Sequence, residues 1–157
     1  MDRYFDDFSV GDTFTAQGFT LSEGQILDYA LTYDPQPFHI DTQAASESVY
    51  GGLIASGFQT TSLCFRMVVQ TRIFETVSMG GPGIDELRFN APVRPGDTIR
   101  PEIEIVDMIP SKSKPDRGIL RIKCRGYNQH RNEVISFIVI MMGRRKLASP
   151  FTHKHVG

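Results

Sequence analysis

The chain has 157 residues, of which 40% are hydrophobic and 22% charged, and this composition predicts one globular domain over residues 1–157 with a flexible tail from about residue 146. Lysine and arginine number 17 against 18 acidic residues, so overall charge excludes a general binder of nucleic acid or of membrane surfaces. The first residues carry charge instead of an apolar leader, and no apolar run reaches the length of a membrane span. We therefore expect a cytoplasmic protein.

The first half of the chain predicts a strand and two short helices. A turn at residues 8–14 feeds the strand. Ser22 is a good N-cap for a helix near residues 22–32, in which Ile26, Leu27 and Ala30 follow helical spacing. Small residues at 42–48 predict a second short helix.

The segment between these helices, Asp34-Pro-Gln-Pro-Phe-His39, holds the main candidate site. Each proline fixes its own φ and pushes the residue before it, Asp34 or Gln36, towards extended backbone. This predicts a stiff irregular loop and not a helix. One interpretation is a general base with its orienting partner, since Asp34, Gln36 and His39 can cluster around a water. The other is a capped turn in which Asp34 binds backbone amides.

The remainder of the chain predicts a long helix followed by a sheet. Residues 58–74 are apolar over most of a helical circumference, which predicts a buried helix. From residue 84 the hydrophobic period changes to two, and four strands near 84–89, 98–108, 119–127 and 134–142 are expected in meander order. The fold class is therefore α+β with an antiparallel sheet, its last strand covered on both faces.

The two cysteines, Cys64 and Cys124, lie far apart in apolar or strand-like stretches. This spacing predicts two buried free thiols. The chain has no CxxC motif and no paired histidines at ligand spacing, so we expect no metal site. His153 and His155 lie in the predicted tail, where solvated side chains are the simpler expectation.

Two motifs carry a resemblance that extends from residue 4 to about residue 145. The first is Asp34-x-Gln36-Pro37-x-His39, and the second is Ile54-Ala55-Ser56-Gly57 before the long helix. The chain resembles the MaoC-like dehydratases and (R)-specific enoyl-CoA hydratases, whose motifs read Asp-x-Asn-Pro-x-His and Ile-x-His-Gly. Three positions depart from the family pattern: Gln36 replaces asparagine, Ser56 replaces histidine, and Phe65 stands where some members carry a serine.

The resemblance implies a hotdog fold, in which an antiparallel sheet wraps a long central helix. It also implies a lyase that adds or removes water across the C2–C3 double bond of an enoyl-CoA. Asp34 and His39 would hold the reacting water, and the backbone N–H of Gly57 would bind the thioester oxygen. No cofactor is expected beyond the coenzyme A of the substrate. Pairing into a homodimer or a higher homo-oligomer is implied as well.

Further substrate contacts are expected around the dyad and on a basic hairpin. An acyl tunnel is one interpretation of Leu53, Ile54, Phe58, Met67 and Phe89, which are equally good core residues. The basic hairpin around residues 111–118 would meet the phosphates of coenzyme A, or is simply solvated. The candidate substrate-binding residues are Gln36, Pro37, Ile54, Ser56, Ser62, Lys112 and Arg117.

Two other functions remain open, a hotdog acyl-CoA thioesterase and a non-catalytic subunit that binds acyl thioesters. The absence of Asp and Glu from residues 58–74 argues against the thioesterase, because such enzymes usually carry their carboxylate on the central helix. Ser56 and Phe65 are the departures that favour a binding subunit.

Overall fold

The computed structural model describes residues 1–147, so the predicted tail beyond that point, with His153 and His155, lies outside the described residues. None of the helices in this range is long and apolar enough to cross a membrane. In chain order the elements are a 3-10 turn at Phe5–Asp7, strands β1 (Thr13–Thr15) and β2 (Phe19–Thr20), helices α1 (Glu23–Tyr33), α2 (Pro37–Ile40), α3 (Thr42–Glu47) and α4 (Gly57–Gln70), and strands β3 (Gly83–Phe89), β4 (Thr98–Pro110), β5 (Arg117–Tyr127) and β6 (Glu133–Arg144).

Helix α1 begins where its capping signal predicts. The Ser22 hydroxyl accepts a hydrogen bond from the Gln25 amide at 3.2 Å, and the Gln25 side chain accepts one from the Ser22 amide at 2.9 Å. This reciprocal pair satisfies two of the donors that every helix leaves free at its start. The helix then buries Ile26 and Ala30, so the prediction for residues 22–32 is confirmed.

The sheet is antiparallel with the strand order β1-β4-β5-β6-β3, and β2 pairs with the start of β4. Strands β4, β5 and β6 follow one another as a meander, as predicted. The prediction is wrong for β3, which pairs with β6 at the far edge. Hydrophobic alternation identifies a strand but carries no information on its neighbours, and the connection through residues 90–97 crosses the end of the sheet before β4 begins.

Helix α4 packs against β4 and β6 on the inner face of the sheet, which is the hotdog arrangement that the resemblance implies. Its inner side buries Cys64, Met67 and Val68. The prediction of a helix over residues 58–74, buried around its circumference, is corrected in two respects. The helix ends at Gln70, with Arg72 in the left-handed region at φ 59°. Its outer side is also exposed, as the next subsections describe.

A glycine on β5 lets α4 approach the sheet closely. A Cβ at Gly126 would lie 2.7 Å from the Ile135 side chain and 3.2 Å from the sulfur of Cys64. Both cysteines are buried and free, as predicted, because Cys64 on α4 and Cys124 on β5 belong to the same core. Strand β6 buries residues 134–138 in an unbroken run, which confirms that this part of the last strand is covered on both faces.

Candidate active site

The segment that carries Asp34 and His39 is a break between two helices. Asp34 caps the C-terminus of α1, with its amide donating to the Ala30 carbonyl at 2.9 Å. Pro37 is the first residue of α2, so His39 lies in a single helical turn. The prediction of an irregular loop is wrong at this point, because proline at the first position of a helix costs no hydrogen bond and supplies the φ that the helix needs.

His39 is held by the backbone of the segment before α4. Its Nδ1 lies 2.7 Å from the carbonyl oxygen of Ile54, and the Ile54 amide donates to the carbonyl of Phe38 at 3.1 Å. Because a carbonyl oxygen only accepts, the ring proton lies on Nδ1, and Nε2 of the neutral ring carries a free lone pair. Only 6% of the His39 side chain is exposed.

The carboxylate of Asp34 faces that free nitrogen. Its Oδ2 lies 3.3 Å from Nε2 of His39 and accepts a hydrogen bond from the Ser56 hydroxyl at 2.7 Å. Its Oδ1 accepts one from the side-chain amide of Gln36, also at 2.7 Å. Burial favours the neutral acid, but the bonds from Ser56 and Gln36 and the proximity of His39 outweigh it, so the pKa of Asp34 falls below its ordinary value. The carboxylate is therefore ionised at neutral pH.

Gly57 begins helix α4 beside this pair. The amides of the first helical turn have no acceptor within the helix, and they point towards the helix start together with the positive end of its dipole. A Cβ at Gly57 would lie 2.5 Å from the ring of Phe89. Glycine therefore allows the Phe89 ring to close over the helix start, while the amide of neighbouring Ala55 is tied to the Val93 carbonyl at 2.8 Å.

These groups open into a cleft of about 490 Å³ at the start of α4. Asp34, Gln36 and His39 stand on one wall, and Asn90 adds a polar group on another. No lysine or arginine is among the residues that line it within residues 1–147. The apolar lining residues are Phe38, Tyr50, Ile54, Ala55, Phe58, Phe89, Ala91, Pro92, Val93, Val134 and Ile135.

Five predicted site residues meet at this cleft: Asp34, Gln36, His39, Ile54 and Gly57. Of the predicted tunnel, Ile54, Phe58 and Phe89 line the cleft, whereas Leu53 and Met67 pack in the core.

Three predicted contacts lie elsewhere around the site. Ser56 is fully buried behind Asp34. Pro37 starts α2 without lining the cleft. Ser62 lies on the exposed side of α4, with its hydroxyl donating to the Phe58 carbonyl at 2.9 Å.

The basic hairpin lies at the opposite end of the sheet. Gly126 pairs with the cleft residue Ile135, whereas Gly118, next to Arg117, pairs with Gly143. Eight strand residues, about 27 Å, separate the two positions. Arg117 also forms a two-point ion pair with Asp116. One chain therefore does not bring Lys112 or Arg117 to its own cleft.

Asn90 and Tyr50 line the cleft and were not identified from the sequence. Asn90 follows β3 and its side chain donates towards Ser136 on β6 at 3.4 Å. Neither residue lies in a motif, and only the pairing of β3 with β6 brings Asn90 to the site. Among residues 1–147 no group of three or more His, Cys, Asp and Glu side chains is placed to hold a metal ion.

Comparison with known proteins gives a consistent family. The model of the MaoC like domain matches residues 7–124. The chain is 30% identical over 124 residues to the uncharacterized protein YdeM of Bacillus subtilis, covering 79% of this chain and 86% of the relative. It is 31% identical over 115 residues to the (R)-specific enoyl-CoA hydratase of Rhodospirillum rubrum, covering 70% of this chain and 74% of that enzyme.

Comparison with solved structures indicates the same family. The MaoC-like dehydratase from Rhodospirillum rubrum superposes with a TM-score of 0.86 at 32% identity, over 94% of this chain and all of that one. The (R)-hydratase from A. caviae involved in PHA biosynthesis shares the fold, with a TM-score of 0.68 at 20% identity, over 85% of this chain and 96% of that one. The chain therefore belongs to the MaoC-like dehydratase family and has its hotdog fold.

Proposed function

We propose that this protein is a hydro-lyase that adds water to, or removes it from, the C2–C3 bond of a 2-enoyl-CoA. The observation that carries the proposal is the pairing of Asp34 and His39. Nδ1 of His39 lies against a backbone carbonyl, which leaves Nε2, 3.3 Å from Oδ2 of Asp34, as the ring nitrogen that can exchange a proton with water. A base held in this way, inside a largely apolar cleft, is suited to taking a proton from water.

The reaction proceeds through one water held between Oδ2 of Asp34 and Nε2 of His39. The water oxygen bonds to C3 of the enoyl thioester while Nε2 takes one of its protons. The electron pair of the double bond moves to the thioester, whose oxygen becomes an enolate and accepts the N–H of Gly57. The dyad then delivers one proton to C2 on the same face. The product has gained one water, with hydroxyl on C3 and hydrogen on C2.

The contribution of each group to the rate follows from general values for enzymes. General acid–base assistance is worth about 10²–10⁴-fold, and removal of one oxyanion donor costs about 10²–10³-fold. The helix start at Gly57 adds positive potential where the enolate charge develops. Asp34 keeps its charge because two hydrogen bonds stabilise it, so it balances the imidazolium that forms at His39.

The lining of the cleft supports an uncharged acyl group. Its walls are largely aromatic and aliphatic, with Thr60 and Asn90 as polar groups outside the dyad segment. Among residues 1–147, no lysine or arginine lines the cleft to pair with a second carboxylate. A dicarboxylic acyl chain would lose hydration without gaining a partner. Crotonyl-CoA is therefore expected to react better than an enoyl-CoA that carries a carboxylate at the distal end.

The same geometry argues against the alternatives. A thioesterase needs a water directed at the carbonyl carbon, and hotdog thioesterases usually carry their carboxylate on the central helix. In this protein the carboxylate in the cleft belongs to Asp34, at the break between α1 and α2, and not to α4. The two departures from the family pattern that favoured a binding subunit, at positions 56 and 65, do not disrupt the contact between Asp34 and His39. Ser56 donates to Asp34, and Phe65 is on the outer face of α4, away from the cleft.

Homodimerisation is part of the proposal. Within residues 1–147, strand β3 is at the edge of the sheet and pairs only with β6. Next to it, α4 exposes apolar side chains that a soluble surface does not need, and Phe58 touches Phe89 at the edge of this face. A second copy of the chain would cover both the strand edge and the helix. The exposed residues are Phe58, Phe65, Val69, Ile84 and Phe89, each between 41% and 60% exposed.

The test is hydration of crotonyl-CoA, followed by loss of the absorbance of the conjugated thioester. His39→Ala should lower kcat by about 10²-fold or more. His130→Ala serves as the matched control, because His130 is exposed in the β5–β6 turn and its backbone bond survives the change. Release of free coenzyme A without hydration would identify a thioesterase. Tight binding of acyl-CoA with no reaction would identify a binding subunit.

A further inference from the structure

Ser56 does not do what its position in the helix suggests. It is the N-cap of α4, where a serine hydroxyl normally accepts a hydrogen bond from an amide of the first turn and stabilises the helix by about 1 kcal/mol. In this protein the side chain makes no such bond. The hydroxyl instead donates to Oδ2 of Asp34 at 2.7 Å. The stabilisation that an N-cap bond would give to α4 is therefore absent, and the hydroxyl instead bonds a residue 22 positions earlier in the chain.

Three further observations place Ser56 behind the reacting groups. It has no exposed surface, and it is not among the residues that line the cleft. Its bond ends on the carboxylate oxygen that also faces Nε2 of His39. The other oxygen of Asp34 is bound by Gln36, so each oxygen has its own neutral donor. Together the two donors fix the rotation of the carboxylate about its terminal bond.

We propose that Ser56 is a positioning residue: its hydroxyl holds Oδ2 of Asp34 towards His39 and keeps the carboxylate ionised, without contacting the substrate. This inference rests on the proposed function for its effect on turnover. Its effect on the carboxylate itself stands apart, because that follows from the hydrogen bond alone.

The direction of the pH effect follows from the groups around Asp34. The titratable neighbours are His39 on α2 and Tyr29 on α1, whose own pKa is raised by burial and by the charge of Asp34. Tyr50 is a further titratable residue on the cleft wall, and residues 89–93 and 134–135 add none. Loss of the Ser56 donor leaves the carboxylate half-satisfied and largely buried, so the pKa of Asp34 rises. The carboxyl group of Asp34 should therefore titrate at a higher pH in a variant that lacks this donor.

The test compares Ser56→Ala with Ser56→Thr, which keeps the hydroxyl, and with Ser78→Ala, which removes a half-buried serine hydroxyl at the opposite end of the sheet from the cleft. Loss of one hydrogen bond to a charged group corresponds to about ten- to hundredfold in kcat. KM should stay within about twofold, because Ser56 does not reach the cleft. Ser56→Thr should restore kcat, and Ser78→Ala should leave it unchanged.

A second measurement separates this inference from the proposed function. The carboxyl carbon of Asp34 is titrated by NMR in the wild type and in Ser56→Ala, with Asp34→Asn identifying the resonance. A higher midpoint in Ser56→Ala supports the inference even if no thioester reacts. An unchanged midpoint, or an activity loss explained entirely by a lower folded fraction, overturns it. Absence of turnover in the wild type counts only against the hydro-lyase.

Discussion

Replacement of Asp34 by asparagine removes the charge of the dyad while keeping its shape. The asparagine oxygen can still accept from Gln36, and its amide nitrogen can donate to Nε2 of His39, with the Ser56 hydroxyl turned round to accept. Two hydrogen bonds to a carboxylate become neutral ones, each weaker by about 1 kcal/mol. We expect a loss of about 2 kcal/mol in the free energy of unfolding at neutral pH. Removal of a buried charge offsets part of it.

The catalytic effect of Asp34→Asn should be larger than the structural one. An asparagine that occupies the lone pair of Nε2 leaves no base for the water, so kcat should fall by about 10²–10⁴-fold, which is about 3–5 kcal/mol in barrier height. The assay is crotonyl-CoA hydration beside urea unfolding of the same samples. Asp41→Asn is the matched control, since asparagine caps helix α3 as well as aspartate does.

The contribution of Asp34 to the free energy of unfolding should depend on pH in a definite direction. The folded-state pKa of Asp34 is below its ordinary value of 3.8, so the carboxylate contributes stability above that value. This contribution is lost as the pH falls through the folded-state pKa. The difference in unfolding free energy between wild type and Asp34→Asn should therefore shrink on acidification below about pH 4. A difference that is constant with pH, or a variant with near wild-type kcat, would refute the reasoning.

Two further predictions concern the helix start and the outer face of α4. Gly57→Ala should lower kcat by about 10²-fold, because its Cβ would meet the Phe89 ring at 2.5 Å and displace the amide that binds the thioester oxygen; unchanged kinetics would remove Gly57 from the mechanism. Val69→Glu should convert a dimer into a folded monomer in analytical ultracentrifugation, because Val69 is 57% exposed on the proposed interface. Val49→Glu, at an exposed loop valine, should remain dimeric, and a dimeric Val69→Glu would place the interface elsewhere.

The sequence predicts those parts of the site that depend on neighbours along the chain. The prolines around Gln36 indicate the break that separates Asp34 from His39, and the capping serine marks the start of α1. The helical turn at His39 was missed because proline both disfavours a helix interior and favours a helix start. The local pattern does not distinguish these roles.

Contacts between distant segments could not be predicted from patterns of this kind. Strand β3 pairs with β6 across 50 residues of chain, and only that pairing carries Asn90 to the cleft. The hydroxyl of Ser56 reaches Asp34 because the segment before α4 is bonded to α2, where the Ile54 amide donates to the Phe38 carbonyl. The sequence predicts burial for the outer face of α4 as well. Hydrophobic residues occur both in a protein core and on an interface that a single chain leaves exposed, so the pattern does not distinguish them.

The bond between His39 and Ile54 has a consequence for how this site can change in evolution. The imidazole is oriented by a main-chain carbonyl, and the main chain is present whatever residue occupies position 54. The side chain of the same residue forms part of the cleft wall. Substitutions at position 54 can therefore reshape the acyl pocket while the tautomer of His39 stays the same. Substrate preference and proton chemistry are thereby separable within a single residue.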